Sequence, residues 1–585
     1  MKHLAVPIFS LFSCSALLAQ SGASEQIRLN QIGFYPDDPK MAIVVNSDAK
    51  KFFLLGYEKK DTVYKGTLAT GGLWPYSGEK TSKADFSPFV KPGKYLLAVP
   101  SLGVSYPFKI EAKVYEDMGK AALKTFYYQR TALELTPEFA GKFARKAGHP
   151  DTTVLIHGSA KTASRKEGSK ISSSKGWYDA GDYNKYIVNS GITTYTLLAA
   201  YEHYPVYLST LKVNIPESKN SVPDILDETL WNLRWMLTMQ DEDGGVYHKL
   251  TNPNFDAFVM PDKATNPRYV VLKTTAAAYD FAAVMAQSAR VFANFKAQFP
   301  GFSDSCLKAS IKAYEWAKKN PLISYRQDEV SKAAAPPIVT GAYDDENLAD
   351  ESRWAALELF VTTGKADYYK DAKISPLSGK FDVPSWQSVG TLGIYSLLHV
   401  GSKLTVPDAQ AVKKEFLMLA DKLRDEALKT SAYGVPMGAD NNDFVWGSNA
   451  VDANEGMLLL QAYDLTKDKT YLHAAEASLD YLLGRNATGY SYVTGFGSKP
   501  SMHPHHRPSE ADGITEPIPG FLVGGPNPGV QDKSNCPDAQ YPSEKPAMAY
   551  LDHVCSYASN EIAINWNAPL VYLALGIEAA HGPGK

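Results

Sequence analysis

From residue 113 onward, apolar residues recur at helical spacing in one segment after another, and no other feature constrains the fold as much. In SVPDILDETLWNLRWMLTMQ, Leu226, Leu230, Leu233 and Leu237 line one face. Ser221 is placed to cap, Pro223 suits a first turn, and acidic residues crowd the positive helix end. Leu472, Ala475, Leu479 and Leu482 repeat the stripe before Gly484 stops it. Further segments begin near residues 113, 186, 273, 305, 344, 388, 407, 446 and 559, with a shorter one, ADYYKDA, near 366. About twelve helices joined by long Gly-, Pro- and aromatic-rich loops predict a mainly α fold, an (α/α) barrel over residues 113–582. The clearest loop, 485–558, carries HPHHRPS, and long loops in compact domains are more often functional than idle.

Residues 25–110 have a different texture. MAIVV (41–45), KFFLL (51–55), KYLLAV (94–99) and VSYPFKI (104–110) are rich in β-branched and aromatic residues and are separated by Gly and Pro. They predict a small β-sandwich of immunoglobulin type. This region has no Cys pair and no acidic or histidine cluster, so it reads as a packing module. Ahead of it, MKHLAVPIFSLFSCSALLAQ has a basic start and an apolar core, Leu4 to Leu18, which predicts a signal peptide over 1–20 with cleavage near Ala19 or Gln20. LFSC (11–14) is a poor lipoprotein box because of Phe12, so lipid anchoring is the lesser alternative. No other stretch is long and apolar enough for a transmembrane segment, which predicts a secreted or periplasmic protein. No low-complexity linker follows residue 580, so no tethered binding module is expected there.

The net charge of −3 over 585 residues gives no electrostatic case for nucleic acid or an anionic membrane. The 35 tyrosines and 9 tryptophans suit a carbohydrate groove, because flat amphipathic rings stack on sugar faces, although large helical cores use them too. Without the leader three cysteines remain. Cys536 and Cys555 flank a short proline-rich loop and are expected to close it as a disulfide in an oxidising compartment; two free thiols are the alternative. Cys306 reads as a core residue, and no pair has the CxxC spacing of a zinc cluster.

Three segments carry candidate chemistry. WYDAGDYNKY (177–186) sets Asp179 and Asp182 among aromatics with Gly181 between them. Facing one cleft, the pair would poise a water molecule as general base; otherwise it is an Asp-rich turn leading into a helix. YLDHVCSYASNEIAINWNAP (550–569) puts Glu561 at the start of the last helix, beside Tyr557 and Trp566. There it is either a first-turn capping residue or an acid whose pKa is raised by apolar neighbours. SYVTGFGSKPSMHPHHRPS (491–509) crowds three histidines and an arginine, which is either a metal site or a row of donors to sugar hydroxyls.

Together and in this order, the three segments resemble glycoside hydrolase family 9, the inverting cellulases with an (α/α)6 barrel. WYDAGDYNKY is similar to the family's Asp-Ala-Gly-Asp segment. The second signature, S-x-V-T-x-x-G-x-K followed after four residues by P-H-x-R, puts the active-site histidine at His505 and the arginine at Arg507. The third, Y-x-D, four residues, Y, three residues, E-x-A, three residues, N-A, puts its carboxylates at Asp552 and Glu561. IRLNQIGFYP opens a region that resembles the immunoglobulin-like module of one branch of the family.

The resemblance implies Glu561 as general acid, Asp182 as general base and Asp179 as the group that binds and orients the water. The carboxyls of an inverting pair should stand roughly 6.5–9.5 Å apart. His505 and Arg507 would hydrogen-bond the sugar, with Asp552 supporting them. Trp446, Trp386, Tyr557 and His248 are candidates for the groove, with core packing as the alternative for the tryptophans. YDDENLADE (343–351) gathers oxygen ligands at the head of a helix. Relatives often bind structural calcium, which would make Asp345, Asp350 and Glu351 its ligands, although acidic first turns also occur without metal. The zinc-binding cysteine and histidine cluster of some relatives is missing, and the chemistry requires no cofactor. The expected substrate is a β-glucan polysaccharide or oligosaccharide, cleaved by an endo-acting β-1,4-glucanase. The alternatives are an exo-acting cellodextrinase, cellobiohydrolase or glucosaminidase, and a non-catalytic glycan-binding protein.

Overall fold

The computed structural model describes residues 22–374, 381–401, 404, 406, 408–537 and 539–582. The expected leader over 1–20 lies outside the described residues. The chain begins as two facing sheets. One orders Ile27–Arg28, Met41–Val45, Glu79–Asp85 and Ala69–Trp74; the other orders Gly33–Phe34, Phe108–Ile110, Gly93–Val99, Lys51–Gly56 and Thr62–Thr67, with Gly103–Val104 on Gly93–Val99. Alternation in Lys51–Gly56 buries Phe52 and Leu54 between the sheets. Phe34 meets Phe86 and Phe108 edge-on there, at 5.3 and 5.5 Å.

Twelve helices among the described residues build the barrel. They are α1 (Glu116–Tyr128), α2 (Ile187–His203), α3 (Asp224–Thr238), α4 (Thr275–Phe292), α5 (Phe302–Lys319) and α6 (Ala349–Thr363), then α7 (Ala366–Asp371), α8 (Gly390–His399), α9 (Ala409–Asp425), α10 (Ser448–Thr466), α11 (Lys469–Leu482) and α12 (Ile564–His581). The even-numbered helices close an inner ring, α12 returning to α2, and the odd-numbered helices pack outside it. This is an (α/α)6 barrel. The sequence explains which helix goes where. α2 is buried without a break from Ile187 to Ala200, and α12 from Ile564 to Ala579, because most of their residues are apolar or small and polar ones such as Asn189, Asn567 and Glu578 are hydrogen-bonded. The outer α3 instead buries the stripe Leu226, Leu230 and Leu233. Ser221 does not cap it: the residue before the helix is Pro223, and no side chain caps the end.

A feature absent from the sequence reading sits at the mouth of the barrel. Five short strands, Lys170–Ile171, Val154–Ile156, Tyr269–Val270, Lys249–Thr251 and Lys185–Tyr186, form a sheet in that order. Their pairing fixes the start of α2, and with it the segment 177–184. The sandwich is fastened to the other end of the chain. Asn30 donates to Asp480 Oδ1 (2.7 Å), and the Tyr35 hydroxyl donates to Glu578 Oε1 (2.7 Å).

Candidate active site

Asp179 and Asp182 flank a tight loop closed by the Asp179 N–H donating to the Asn184 carbonyl. Two partners hold Asp179: Asn189 Nδ2 on Oδ1 (2.6 Å) and the Tyr343 hydroxyl on Oδ2 (2.7 Å). Burial pushes Asp179 up to about 8 and the charge of Asp182 adds to it, against those two hydrogen bonds. Asn184 Nδ2 donates to Asp182 Oδ2 (2.6 Å). Behind Asp182 lies Lys249, whose ammonium burial lowers to about 7 while Asp182's charge supports it.

Glu561 is not in the first turn of the last helix. It follows the short helix Tyr557–Asn560 in extended backbone (φ −71°, ψ 159°), and α12 starts only at Ile564. The capping reading therefore fails. Its carboxylate accepts the Gly181 N–H at 3.2 Å, across 380 residues of sequence. Burial holds it well above the carboxylate range, and the nearby charge of Asp182 does the same. Arg507 and the Gly181 amide act the other way. Single β-bridges join Ala180 to Ala563, His505 to Glu561 and Val523 to Ile562, so three distant loops grip the backbone around Glu561. Gly181 is required by this closeness: a Cβ there would lie 1.9 Å from the His505 carbonyl oxygen.

The three histidines of HPHHR point in different directions, which rules out a shared metal. His503 is exposed. His506 is buried against Ser509 and Gln129. His505 borders the cleft and donates from Nδ1 to the Val554 carbonyl (2.6 Å), leaving Nε2 as an acceptor. Burial lowers it to about 4, so the ring is neutral at pH 7. Arg507 spends Nε on the Asp256 carbonyl (2.8 Å) and Nη1 on the Gly181 carbonyl (2.9 Å). The three carboxylates, His505 and Arg507 line one cleft of about 980 Å³.

Residues 115–574 match the pattern of glycosyl hydrolase family 9, and residues 22–104 that of the cellulase N-terminal ig-like domain. The chain belongs to glycosyl hydrolase family 9. It is 46% identical to a xyloglucan-specific endo-beta-1,4-glucanase of Bacteroides ovatus, over 98% of each chain. It is 35% identical to Endoglucanase D of Acetivibrio thermocellus, over 95% of this chain and 84% of that one. The solved structure of a Bacteroides ovatus family 9 protein superposes with a TM-score of 0.89, covering 95% of this chain and 100% of the other at 46% identity.

In this family 9 hydrolase, Trp446, Tyr557 and Trp386 line the cleft. Trp446 is 43% exposed, and its ring centre is 5.4 Å from that of Tyr557. Trp386 stands edge-on to Tyr343 at 5.1 Å. Two expected positions lie elsewhere. His248 is buried and does not line the cleft: its nitrogens bond Thr274 Oγ1 (3.0 Å) and the Ala342 carbonyl (2.8 Å), and its ring stacks on Tyr325. It braces the segment that carries Tyr343. Asp552 also stays out of the cleft and accepts the Met502 and His503 amides (2.9 Å each to the nearer oxygen), which pins the histidine loop. Tyr343 opens YDDENLADE, where only the acids give a signal, and Asn189 and Lys249 lie in none of the three candidate segments.

The acidic head of α6 is richer than expected, because Asp280 of α4 joins it. Asp280 and Glu351 are wholly buried, and both oxygens of each have no hydrogen-bond partner; one oxygen each of Asp345 and Asp350 is in the same condition. Burial and mutual repulsion hold Asp280 and Glu351 well above their usual range. Hard, buried, unpartnered oxygens are the donor type calcium takes, and since no three of these acids hold ligand atoms all within 4.8 Å of one another, an ion would have to draw them together. Cys536 and Cys555 form a disulfide beside Tyr557, and Cys306 is a buried free thiol.

Proposed function

We propose that this hydrolase is an exported, endo-acting β-1,4-glucanase that cleaves with inversion, with Glu561 as general acid and Asp182 as general base. The observation that carries this reading is the Gly181 hydrogen bond to Glu561. It ties an acid kept protonated by burial to the loop bearing Asp182, inside one aromatic-lined cleft. Glu561 delivers its proton to the leaving glycosidic oxygen. Asp182 takes a proton from water attacking the opposite face of the sugar. Asp179, clamped by Asn189 and Tyr343, orients that water. His505 Nε2 accepts a sugar hydroxyl, and Arg507 fixes the Gly181 carbonyl and so the spacing of the acids. Trp446 and Tyr557 offer a stacking platform.

The backbone substrate is a β-1,4-glucan, and the name of the Bacteroides ovatus relative makes xyloglucan the first polymer to assay beside unsubstituted glucans. No helix among the described residues is long and apolar enough to cross a membrane. With a leader over 1–20, the sandwich over 25–110 and the barrel over 113–582 act outside the cytoplasm, where the Cys536–Cys555 disulfide persists. Asp280, Asp345, Asp350 and Glu351 hold a structural calcium that neutralises their charges; chelation then lowers Tm and added calcium restores it. The deciding experiment is anomeric proton NMR during cleavage of cellopentaose and xyloglucan oligosaccharides, with product lengths read in parallel. Initial α-anomer at internal bonds is expected. Initial β-anomer overturns the mechanism, and release from one chain end overturns endo action.

A further inference from the structure

Where the sandwich meets the barrel, four side chains unused by the active site converge. Asp38 comes from the turn between Gly33–Phe34 and Met41–Val45. His473 and Glu476 lie three apart on α11, hence on one face, and His581 ends α12. Among the described residues, only Asp38, Glu476 and His581 offer three ligand atoms all within 4.8 Å of one another. His581 Nε2 is 2.8 Å from Glu476 Oε1 and 3.4 Å from Asp38 Oδ2, and His473 Nε2 is 3.6 Å from Asp38 Oδ1. We propose that Asp38, His473, Glu476 and His581 form a zinc site that clasps the sandwich to the barrel.

Three arguments support it. The first is geometric. A tetrahedral ion with ligand bonds of about 2.0–2.2 Å sets neighbouring ligand atoms roughly 3.3–3.6 Å apart; both histidines already stand at about that distance from Asp38, the His581–Glu476 pair must open, and His473, which lies outside the set within 4.8 Å, must swing in as the fourth ligand. The second is the donor set: two imidazoles and two carboxylates suit zinc better than calcium or magnesium, and the carboxylates balance its charge. The third is that the ligands are pre-set. Tyr35 stacks on the His581 ring at 3.8 Å and 21°, fixing its plane. Lys40 donates to the carbonyls of Pro36 (2.6 Å) and Asp38 (2.7 Å), which holds the turn that presents Asp38. The His473 and His581 side chains keep 24% and 19% of their surface exposed, which gives an ion a way in. Asp38 alone comes from the sandwich, so a bound ion crosslinks the two units independently of the glucanase reading.

The test uses the full mature chain, stripped with chelator, saturated with calcium, titrated with zinc chloride and gel-filtered. Wild type should retain one zinc per chain by elemental mass spectrometry and gain Tm on loading. Cobalt in place of zinc should give the strong visible absorption of a four-coordinate site. His473→Gln, a partly exposed position, and Asp38→Asn should match the unloaded wild-type Tm while losing zinc affinity at least tenfold, about the effect of removing a ligand partner. Wild type that retains no zinc makes the cluster an ion-pair latch and overturns the proposal. Equal retention by both variants also overturns it, placing the ion elsewhere on the chain.

Discussion

Gly181→Ala tests the closeness on which the active-site reading depends. A Cβ at 181 would stand 1.9 Å from the His505 carbonyl oxygen, 2.9 Å from its carbon and 3.2 Å from Glu561 Oε1. Contacts under 3.0 Å are essentially never tolerated, and the obstacle is backbone, so the loops must part by about 1 Å. Overpacking of this kind costs about 1–3 kcal/mol, and a 1 Å displacement of catalytic groups costs ~100-fold in kcat. The pH profile adds a second readout. The Gly181 amide draws the Glu561 pKa down, so stretching that bond raises it further. As the proposed general acid, Glu561 must be protonated to act, so activity should be lost as pH rises through its pKa. The basic limb of kcat/KM therefore moves to higher pH in the variant. Purified variant and wild type would be compared on cellopentaose across pH, with melts and urea titrations confirming a folded chain. A folded variant with kcat within threefold of wild type and an unmoved basic limb would show that the close approach does not set the catalytic geometry.

Glu561→Gln should lower kcat on oligosaccharides by about 10²–10⁴ while sparing aryl glycosides whose leaving group needs no proton; Asp182→Asn should lower both, and equal loss on both by Glu561→Gln would refute its role as acid. Tyr343→Phe removes a hydrogen bond to Asp179 worth about 0.5–1.5 kcal/mol, the range for a neutral pair since burial pushes Asp179 up to about 8, so kcat should fall roughly 2- to 10-fold with the fold intact, and an unchanged kcat would free Asp179 from any water-holding role. His248→Gln should leave KM alone and destabilise by about 1–3 kcal/mol at pH 7, because its amide can replace Nε2 on the Ala342 carbonyl but leaves Thr274 Oγ1 without its Nδ1 partner and removes the ring that stacks on Tyr325. Burial holds His248 at about 3 against 6.5 in the unfolded chain, so wild type loses stability as pH falls below 6.5 and the glutamine variant does not. The deficit should narrow by about 2 kcal/mol between pH 6.5 and 5 in urea titrations, and a constant deficit would mean the imidazole charges in place.

Periodicity is local, and what it encodes was legible. The stripes of α3 and α11, the alternation of Lys51–Gly56 and the Gly484 stop all lie within one turn or one strand of the residues they govern. The candidate acids were legible because they sit in motifs whose order along the chain is itself a signal. Function at those motifs was not legible from local spacing. Glu561 looks like a first-turn residue, and only its extended backbone and its bond to Gly181 remove it from that role. Tyr343 meets Asp179 across 164 residues, and Asp280 joins the α6 acids from another helix of the inner ring. His248 is expected in the groove, yet its nitrogens are engaged inside the wall by Thr274 and Ala342. The sequence by itself determined the two textures, the helix count and the three candidate segments, because each is written in residues a few positions apart. The tertiary structure alone decided which carboxylates share a cleft, which aromatic faces open to it and which acids are left buried without partners. Those outcomes depend on ring closure bringing together loops hundreds of residues apart, where burial and neighbouring charge, not spacing, set what each side chain can do.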